Sequence, residues 1–185
     1  MNMGYYKLSK YQGAKCHNDL TFYFRDQLKD WTFRAAHHVA DMYSRNDSGW
    51  SLDIGGKHCD VVQTDYRKRI TIEARGVSDR LSAQIDQVIS VEGKKYFLDW
   101  KFTKCEDDVE RIIDDARKQI AYYAWVIGDS DVVGGAYIIC GLQSNNVLSS
   151  GVFDFDVHET ERSFIRRLQE LPGYEGIGIE EIRRV

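Results

Sequence analysis

The chain has 185 residues, of which 43% are hydrophobic and 29% are charged, and its formal net charge is −4. These values are typical of a soluble globular protein that is long enough to bury a sizeable core in one domain. No apolar run approaches about 18 residues, which argues against a membrane-spanning segment. The negative net charge lacks the basic bias of many nucleic-acid-binding proteins. Residues 1–12 show no apolar stretch of a secretory signal, so we expect a cytoplasmic protein, in the host cytoplasm if it is viral.

The first elements in chain order are predicted to be helical. An N-terminal helical segment covers residues 8–46, and within it residues 21–46 form one or two helices, because small and apolar residues recur at helical spacing from Trp31 onward. Residues 46–56, NDSGWSLDIGG, predict a turn-rich connection.

The remainder of the chain alternates between strand-like and helical patterns. Residues 91–95 contain a turn that predicts a hairpin, and Gly128 is expected to cap a long helix. The order of elements is typical of a mixed β-sheet flanked by helices, which is an α/β (α+β) fold, in a single domain over residues 1–185. The predicted strands are 69–74, 81–91, 95–102, 134–142 and 151–157, and the predicted helices are 106–128 and 158–173.

The strand YFLDWKFTK, residues 96–104, carries two charged side chains close together. Successive residues of a strand point to opposite faces, so Asp99 and Lys101 share one face, roughly 6–7 Å apart, and Trp100 lies on the other. Taken alone, such a pair is typical of an ion pair on a solvated edge.

A second carboxylate changes this interpretation. Asp86 lies in the middle of the preceding strand, where aspartate is disfavoured, and a hairpin of 81–91 with 95–102 would bring it beside Asp99 and Lys101. Adjacent carboxylates resist joint ionisation unless a cation lies between them, and Mg²⁺ or Mn²⁺ suits oxygen ligands of this kind. The three residues outline a metal-dependent phosphodiester hydrolysis site, in which the lysine orients or deprotonates a water.

The string IDQVISVEGKKYFLDWK, residues 85–101, resembles the core of the PD-(D/E)XK nuclease superfamily, and most of all its RecB-like exonuclease branch. Asp86 falls on the first metal-binding aspartate of that family, and Asp99 and Lys101 fall on its D-x-K pair. The resemblance implies a restriction-endonuclease-like fold with a catalytic core over residues 69–173.

Further matches extend the resemblance to roughly residues 8–170. Gln119 and Tyr123 match the Q-x-x-x-Y motif of the branch, and at positions i and i+4 they share one helix face. The resemblance implies that they contact the scissile strand or brace Lys101. The sequence departs mildly from the family pattern at Ala83, Phe102 and Thr103.

The resemblance also implies a metal-ligating histidine on a helix after the opening segment 8–25. Helical geometry places His38 at the edge of the apolar face and His37 nearly opposite, which favours His38, whereas the spacing of His37 and Asp41 fits the family's H-x-x-x-E. We therefore expect His38 as the ligand and keep His37 as the alternative. The other implied ligands of the metal are Asp86, Asp99 and the backbone carbonyl of Trp100.

The four cysteines match no zinc-binding spacing and are expected to be reduced thiols, mostly buried. Some RecB-like nucleases hold an iron–sulfur cluster with one N-terminal and three C-terminal cysteines. Cys16 stands at the first of these positions, but no cysteine follows Cys140, so we expect no iron–sulfur cluster.

The implied activity is that of a metal-dependent DNA exonuclease acting on single strands or ends. DNA is the implied partner. A helicase or recombination protein is a possible second partner, no membrane association is expected, and the oligomeric state stays open. The alternatives are an endonuclease of the same fold, on DNA or RNA, and a catalytically degenerate nucleic-acid-binding module.

Trp100 or Tyr122, if exposed, would stack on bases, and Glu73 would be a supporting carboxylate. Basic residues expected to grip the substrate are Arg67, Lys68, Arg69, Lys104, Arg117 and Lys118.

Overall fold

The computed structural model describes residues 3–185, with side chains from residue 10 onward. Within these residues, no helix is long and apolar enough to cross a membrane. The helices α1 to α4 are Met3–Phe24, Arg34–Ala40, Val109–Ile127 and Glu159–Gln169, and a 3₁₀ turn covers Ile179–Glu181. The strands β1 to β8 are Tyr43–Asn46, Gly49–Ile54, Lys57–Ala74, Val77–Val91, Lys94–Thr103, Val132–Gly141, Val147–Asp154 and Arg183–Arg184.

The strands form one eight-stranded sheet, in which β1 to β7 are neighbours in sequence order and β8 pairs with β3. Strands β5 and β6 are parallel and are joined by α3, whereas the other neighbouring pairs are antiparallel. The molecule is therefore a mixed α+β protein with a mostly antiparallel sheet flanked by helices. This agrees with the fold class that the order of elements predicts.

Helices cover both faces of the sheet, and β5 supplies side chains to both cores. Leu98 and Trp100 are fully buried in the core that includes residues of α1 and α2. Phe97 is buried in the core that includes residues of α3 and α4. The predicted division of β5 into two faces is thus confirmed, and it leaves Asp99 and Lys101 on the side of α3.

The structure differs from the prediction in the region that follows α2. The helix ends at Ala40, and residues 46–56, expected to be a turn-rich connection, belong mostly to a hairpin of β1 and β2. The turn into β3 is built by Gly55 and Gly56, whose φ angles of 56° and 77° favour glycine. Strand β3 then runs for 18 residues, far longer than the predicted stretch RITIEA.

The other predicted elements are present, with shifts of a few residues at their ends. The expected cap of the long helix is confirmed: Gly128 adopts a left-handed conformation, and its N–H donates to the carbonyl of Ala124. The expected hairpin of β4 and β5 is also confirmed, with the turn between Val91 and Lys94. This hairpin sets the positions of the charged side chains described next.

Candidate active site

The candidate site lies where β4 and β5 separate, a point that we call the fork. The two strands remain paired only as far as Gln87 and Leu98, after which β4 continues along β3 and β5 continues along β6. Asp86 is the next residue of β4, and its Oδ2 accepts a hydrogen bond of 2.7 Å from the backbone N–H of Trp100. The carboxylate thus replaces the strand partner that β5 has lost at this point.

A buried chain of hydrogen bonds, which we call the fork tie, joins the two strands beside this separation. The indole N–H of Trp100 donates to the Tyr43 hydroxyl at 3.0 Å, and that hydroxyl donates to Gln87 Oε1 at 2.7 Å. Gln87 Nε2 donates in turn to Thr64 Oγ1 at 3.2 Å. Gln87 and Trp100 are both fully buried, and this pairing of their polar atoms offsets the cost of removing them from water.

Asp99 and Lys101 form an ion pair on the α3 side of the fork. Lys101 Nζ lies 3.0 Å from Asp99 Oδ2, and only 12% of the Asp99 side chain is exposed. This contact does not meet hydrogen-bonding geometry, so Asp99 Oδ2 is a buried oxygen without a hydrogen-bond donor. Burial raises the pKa of Asp99 to about 6, with Asp86 adding to the increase and Lys101 opposing it.

Gln119 and Tyr123 hold Lys101 from α3. The Lys101 ammonium donates to Gln119 Oε1, and Gln119 Nε2 donates to the Tyr123 hydroxyl at 3.0 Å. A glutamine suits this position because its amide accepts from one neighbour and donates to the other. Burial is the largest single effect and lowers the pKa of Lys101, but Asp99, Asp86 and Tyr123 together raise it by more, so the net pKa is raised. The structure therefore brings the five predicted catalytic residues, Asp86, Asp99, Lys101, Gln119 and Tyr123, into one cluster.

The histidine of this cluster is His17, which the sequence analysis did not single out. His17 extends from α1, and its Nδ1 lies 2.9 Å from Asp86 Oδ1. Its ring also lies against Trp100 and Phe102, with centroid distances of 6.1 Å and 5.4 Å. Burial is the largest single effect and lowers the pKa of His17, but Asp86 and Asp99 together raise it by more, so the net pKa is raised.

The expectation of His38 as the site histidine is corrected by this arrangement. His38 is exposed on α2, and the alternative, His37, is also exposed, stacks on Trp31 and lies 3.5 Å from Asp41. Neither lines the cavity that contains Asp86. The prediction assumed that the histidine follows the opening segment, whereas the opening segment is itself the helix that reaches the site.

A signal for His17 was present in the spacing of α1. Cys16, Leu20 and Phe24 are buried at positions i, i+4 and i+8, so they mark the face of α1 that packs against the sheet. His17 immediately follows the first of them and lies at the border of that face.

Of the four cysteines, Cys16, Cys59 and Cys140 are buried and Cys105 is exposed, and all are free thiols.

The fit of a divalent cation can be judged from the donors at the fork. Within residues 3–185, no three His, Cys, Asp or Glu side chains are grouped as a ready-made metal site. The donor types nonetheless fit Mg²⁺ or Mn²⁺, since Asp86 and Asp99 supply carboxylates and His17 an imidazole nitrogen. Asp99 Oδ2 is buried and accepts no hydrogen bond in good geometry, and it keeps lone pairs for a cation beside the Lys101 ammonium, which lies 3.0 Å away.

The cluster opens into a cavity of about 390 Å³. Beyond the five catalytic candidates and His17, six polar residues line it: Asn18, Thr21, Arg25, Asp65, Arg67 and Gln84. Of the basic residues expected to hold a substrate, only Arg67 lines this cavity, and Lys68 instead donates to the carbonyl of Ile127 at 2.5 Å.

The condition set for base stacking by Trp100 is not met, and Glu73 lies away from the site. Trp100 is fully buried, so its ring is not available for stacking on a base, although its backbone lies at the fork. Glu73 is exposed near the distal turn of β3 and β4 and lines a different cavity, beside Arg75 and Glu181. Tyr122 is half-buried against Phe164, with the ring centroids 5.8 Å apart.

Comparisons with known proteins add little to this geometry. No protein-family model matches the sequence, and no curated protein matches it. A solved structure described as "Crystal structure of SSO0001" is a weak structural match, with a TM-score of 0.43 and 14% sequence identity. The likeness covers 58% of this chain and 47% of that chain, so the match spans about half of the length of that protein. A likeness this weak carries no argument about function.

Proposed function

We propose that the protein is a metal-dependent nuclease that hydrolyses phosphodiester bonds in DNA, with a restriction-endonuclease-like core of the RecB-like PD-(D/E)XK type. The observation that carries this proposal is the convergence of Asp86, Asp99 and Lys101 at the fork of β4 and β5. The motif pattern in the sequence and the contact from Gln119 to Lys101 support it independently.

The charge balance at the fork supports a hydrolytic role. Asp86 adds to the raised pKa of the buried Asp99, and Asp99 Oδ2 accepts no hydrogen bond in good geometry. Asp86, Asp99, His17 and the backbone carbonyl of Trp100 would hold Mg²⁺ or Mn²⁺. The bound cation would supply Lewis-acid stabilisation of the charge that develops on the phosphoryl oxygens.

The remaining residues position the water and the substrate. Lys101, fixed between Asp99 and Gln119, is placed to orient the attacking water and to stabilise charge in the transition state. Its raised pKa favours the ammonium form, which donates hydrogen bonds. Tyr123 fixes the orientation of the Gln119 amide, which in turn fixes Lys101.

A basic groove supports a nucleic acid as the substrate. A cavity of about 750 Å³ between α3 and α4 shares Gln119 and Tyr123 with the site cavity, so the two are continuous at these residues. Lys118, Arg166 and Arg167 line it together with Asp115 and Glu170, so its lining has an excess of one positive charge, and the two arginines suit a phosphate backbone leaving the fork. The motif Q-x-x-x-Y favours an exonuclease that acts on single strands or ends over an endonuclease of the same fold.

The test compares wild type with Lys101→Ala on linear single-stranded DNA labelled at the 5′ or the 3′ end, with Mn²⁺, Mg²⁺ or EDTA. We expect metal-dependent degradation by the wild type and a loss of about 100-fold or more in the variant, since general acid–base and charge stabilisation contribute on that order. The label that is released first gives the polarity.

Lys94→Ala is the matched control, because Lys94 is an exposed lysine at the opposite end of the same strand. A circular single strand separates the exonuclease from the endonuclease, since only the latter cuts it. Absence of cleavage of any substrate by correctly folded wild type, with both metals, would refute the proposal and favour a degenerate binding module.

A further inference from the structure

A buried carboxylate at the edge of the site cavity holds two arginines. Arg25 Nη2 lies 2.9 Å from Asp65 Oδ2, and Arg67 Nε lies 3.0 Å from Asp65 Oδ1. Gln84 Nε2 donates to the same Oδ1 at 2.8 Å. The Asp65 side chain is only 7% exposed, whereas those of Arg25 and Arg67 are 44% and 66% exposed.

Asp65 adopts a backbone conformation that is unusual for a strand. Its φ angle is +59°, in the left-handed region that few residues other than glycine, asparagine and aspartate adopt. Its neighbours Thr64 and Tyr66 pair with Gln87 and Ile85, so Asp65 occupies the position across from Asp86. Asp65 thus combines an uncommon backbone conformation with a position opposite a site carboxylate, and its side chain there contacts Arg25, Arg67 and Gln84.

The two guanidinium groups keep unused donors that are exposed at the cavity. Each arginine uses one nitrogen on Asp65 and has five N–H donors in total. The two arginines and Asp65 together carry one net positive charge, in the cavity that also contains Asp86, Asp99 and Lys101. Two planar donors held at fixed positions are suited to the oxygens of a phosphate group.

We propose that Arg25 and Arg67, oriented by Asp65, form a phosphate clamp that holds a phosphate of the substrate strand beside the reactive fork. This inference rests on the proposed nuclease function and names the residues that fix the strand. The phosphate is either a terminal monoester or an internal diester, which share the oxygens that the clamp recognises. Asp65 is a positioning residue, because it acts through the two arginines.

The experiment measures equilibrium binding of internally labelled 12-nucleotide oligothymidylates by fluorescence anisotropy in EDTA, with a 5′-phosphate, a 3′-phosphate or hydroxyl groups at both ends. The variants are Arg25→Ala, Arg67→Ala and Asp65→Asn, because asparagine tolerates the left-handed conformation. Arg80→Ala is the control, since Arg80 is an exposed arginine of β4 outside the site cavity. Thermal unfolding establishes that each variant is folded.

We expect each arginine variant to weaken binding about tenfold or more, the loss typical of a hydrogen bond to a charged group. If the phosphate is terminal, wild type prefers one of the phosphorylated probes and the variants lose that preference. If it is internal, the variants weaken binding of all three probes equally. Binding equal to that of Arg80→Ala would overturn the clamp.

Asp65→Asn separates positioning from general electrostatics. Removal of a negative charge from the cavity should tighten binding if only net charge matters. The clamp instead requires weaker binding, since the arginines lose their charged anchor. Asp65→Gly, which also fits the positive φ angle, repeats this test without a side chain, and tighter binding by both variants contradicts the proposal.

Failure of the clamp and failure of the nuclease proposal have different signatures. Cleavage by wild type with arginine variants that bind normally would leave the nuclease and remove the clamp. Arginine-dependent binding without cleavage would leave the clamp on a protein that binds nucleic acid only.

Discussion

Gln119 can act on Lys101 or on the substrate, and the two roles give different kinetics. The contact from Lys101 to Gln119 Oε1 favours the first role. We expect Gln119→Ala to lower kcat about 10- to 100-fold with KM nearly unchanged. Without Gln119, Lys101 is no longer held in place, so it stabilises the transition state less well, whereas substrate binding does not depend on it. Steady-state kinetics on a linear single strand measures both parameters.

Two companion variants make this prediction specific. Gln119→Glu keeps an acceptor for Lys101, so it should retain more activity than the alanine variant, and Tyr123→Phe should have the smallest effect because it acts through Gln119. A large increase in KM with unchanged kcat would show that Gln119 contacts the strand directly.

At the scale of elements, α1 is the helix that completes the site, because it carries His17 to Asp86. We expect His17→Ala to weaken Mn²⁺ binding about 10- to 100-fold, the effect typical of removing a group that ligates or orients at a metal site. Isothermal titration with Mn²⁺ measures this without any need for activity. His38→Ala is the matched control on α2, and a weakening there with none at position 17 would restore the assignment made from the sequence.

The strand residues of the site and the two residues of α3 could be predicted from sequence, and His17 of α1 was not. Asp99 and Lys101 follow from the period of two of a strand, and Asp86 follows from the hairpin that brings β4 beside β5. The spacing of Cys16, Leu20 and Phe24 places His17 at the border of the buried face of α1, but its position beside Asp86 depends on how α1 crosses the sheet. The choice between His37 and His38 rested on one helix considered without its packing partners.

The same limit applies to β1, β2 and the clamp. The stretch 46–56 is rich in turn residues because it contains two tight turns, and the strands between them are too short to give a clear alternation. Asp65 was not singled out because its role depends on a left-handed backbone within an otherwise regular strand. Such features arise from tertiary structure and override local propensity.

At the scale of the whole molecule, Asp99 links the site to global stability. Its pKa of about 6 in the folded protein exceeds the usual value of the unfolded chain, about 3.9, so protonation favours folding. This contribution is fully present below about pH 4 and is lost as the pH rises through 6. At pH 8, in the absence of divalent cations, the wild type therefore retains a buried charge that opposes folding.

We expect Asp99→Asn to be more stable than wild type by about 1–3 kcal/mol at pH 8 in EDTA, with a smaller difference at pH 5. Urea unfolding at the two pH values measures the effect. Asp107→Asn, at an exposed aspartate near the end of β5, should show neither change. Lower stability of the Asp99 variant at pH 8 would mean that the ion pair with Lys101 outweighs the burial of the carboxylate.

Because of the fork tie, we expect loss of activity from substitutions at a residue outside the site cavity. Tyr43 does not line the site cavity, yet its hydroxyl links Trp100 to Gln87 where the two strands part, and so helps to set the spacing of Asp86 and Asp99. A random-mutagenesis screen for loss of activity should therefore return Tyr43 alongside the two aspartates. Conservation in any future set of homologues would then mark a residue of the first β-strand that never meets the substrate.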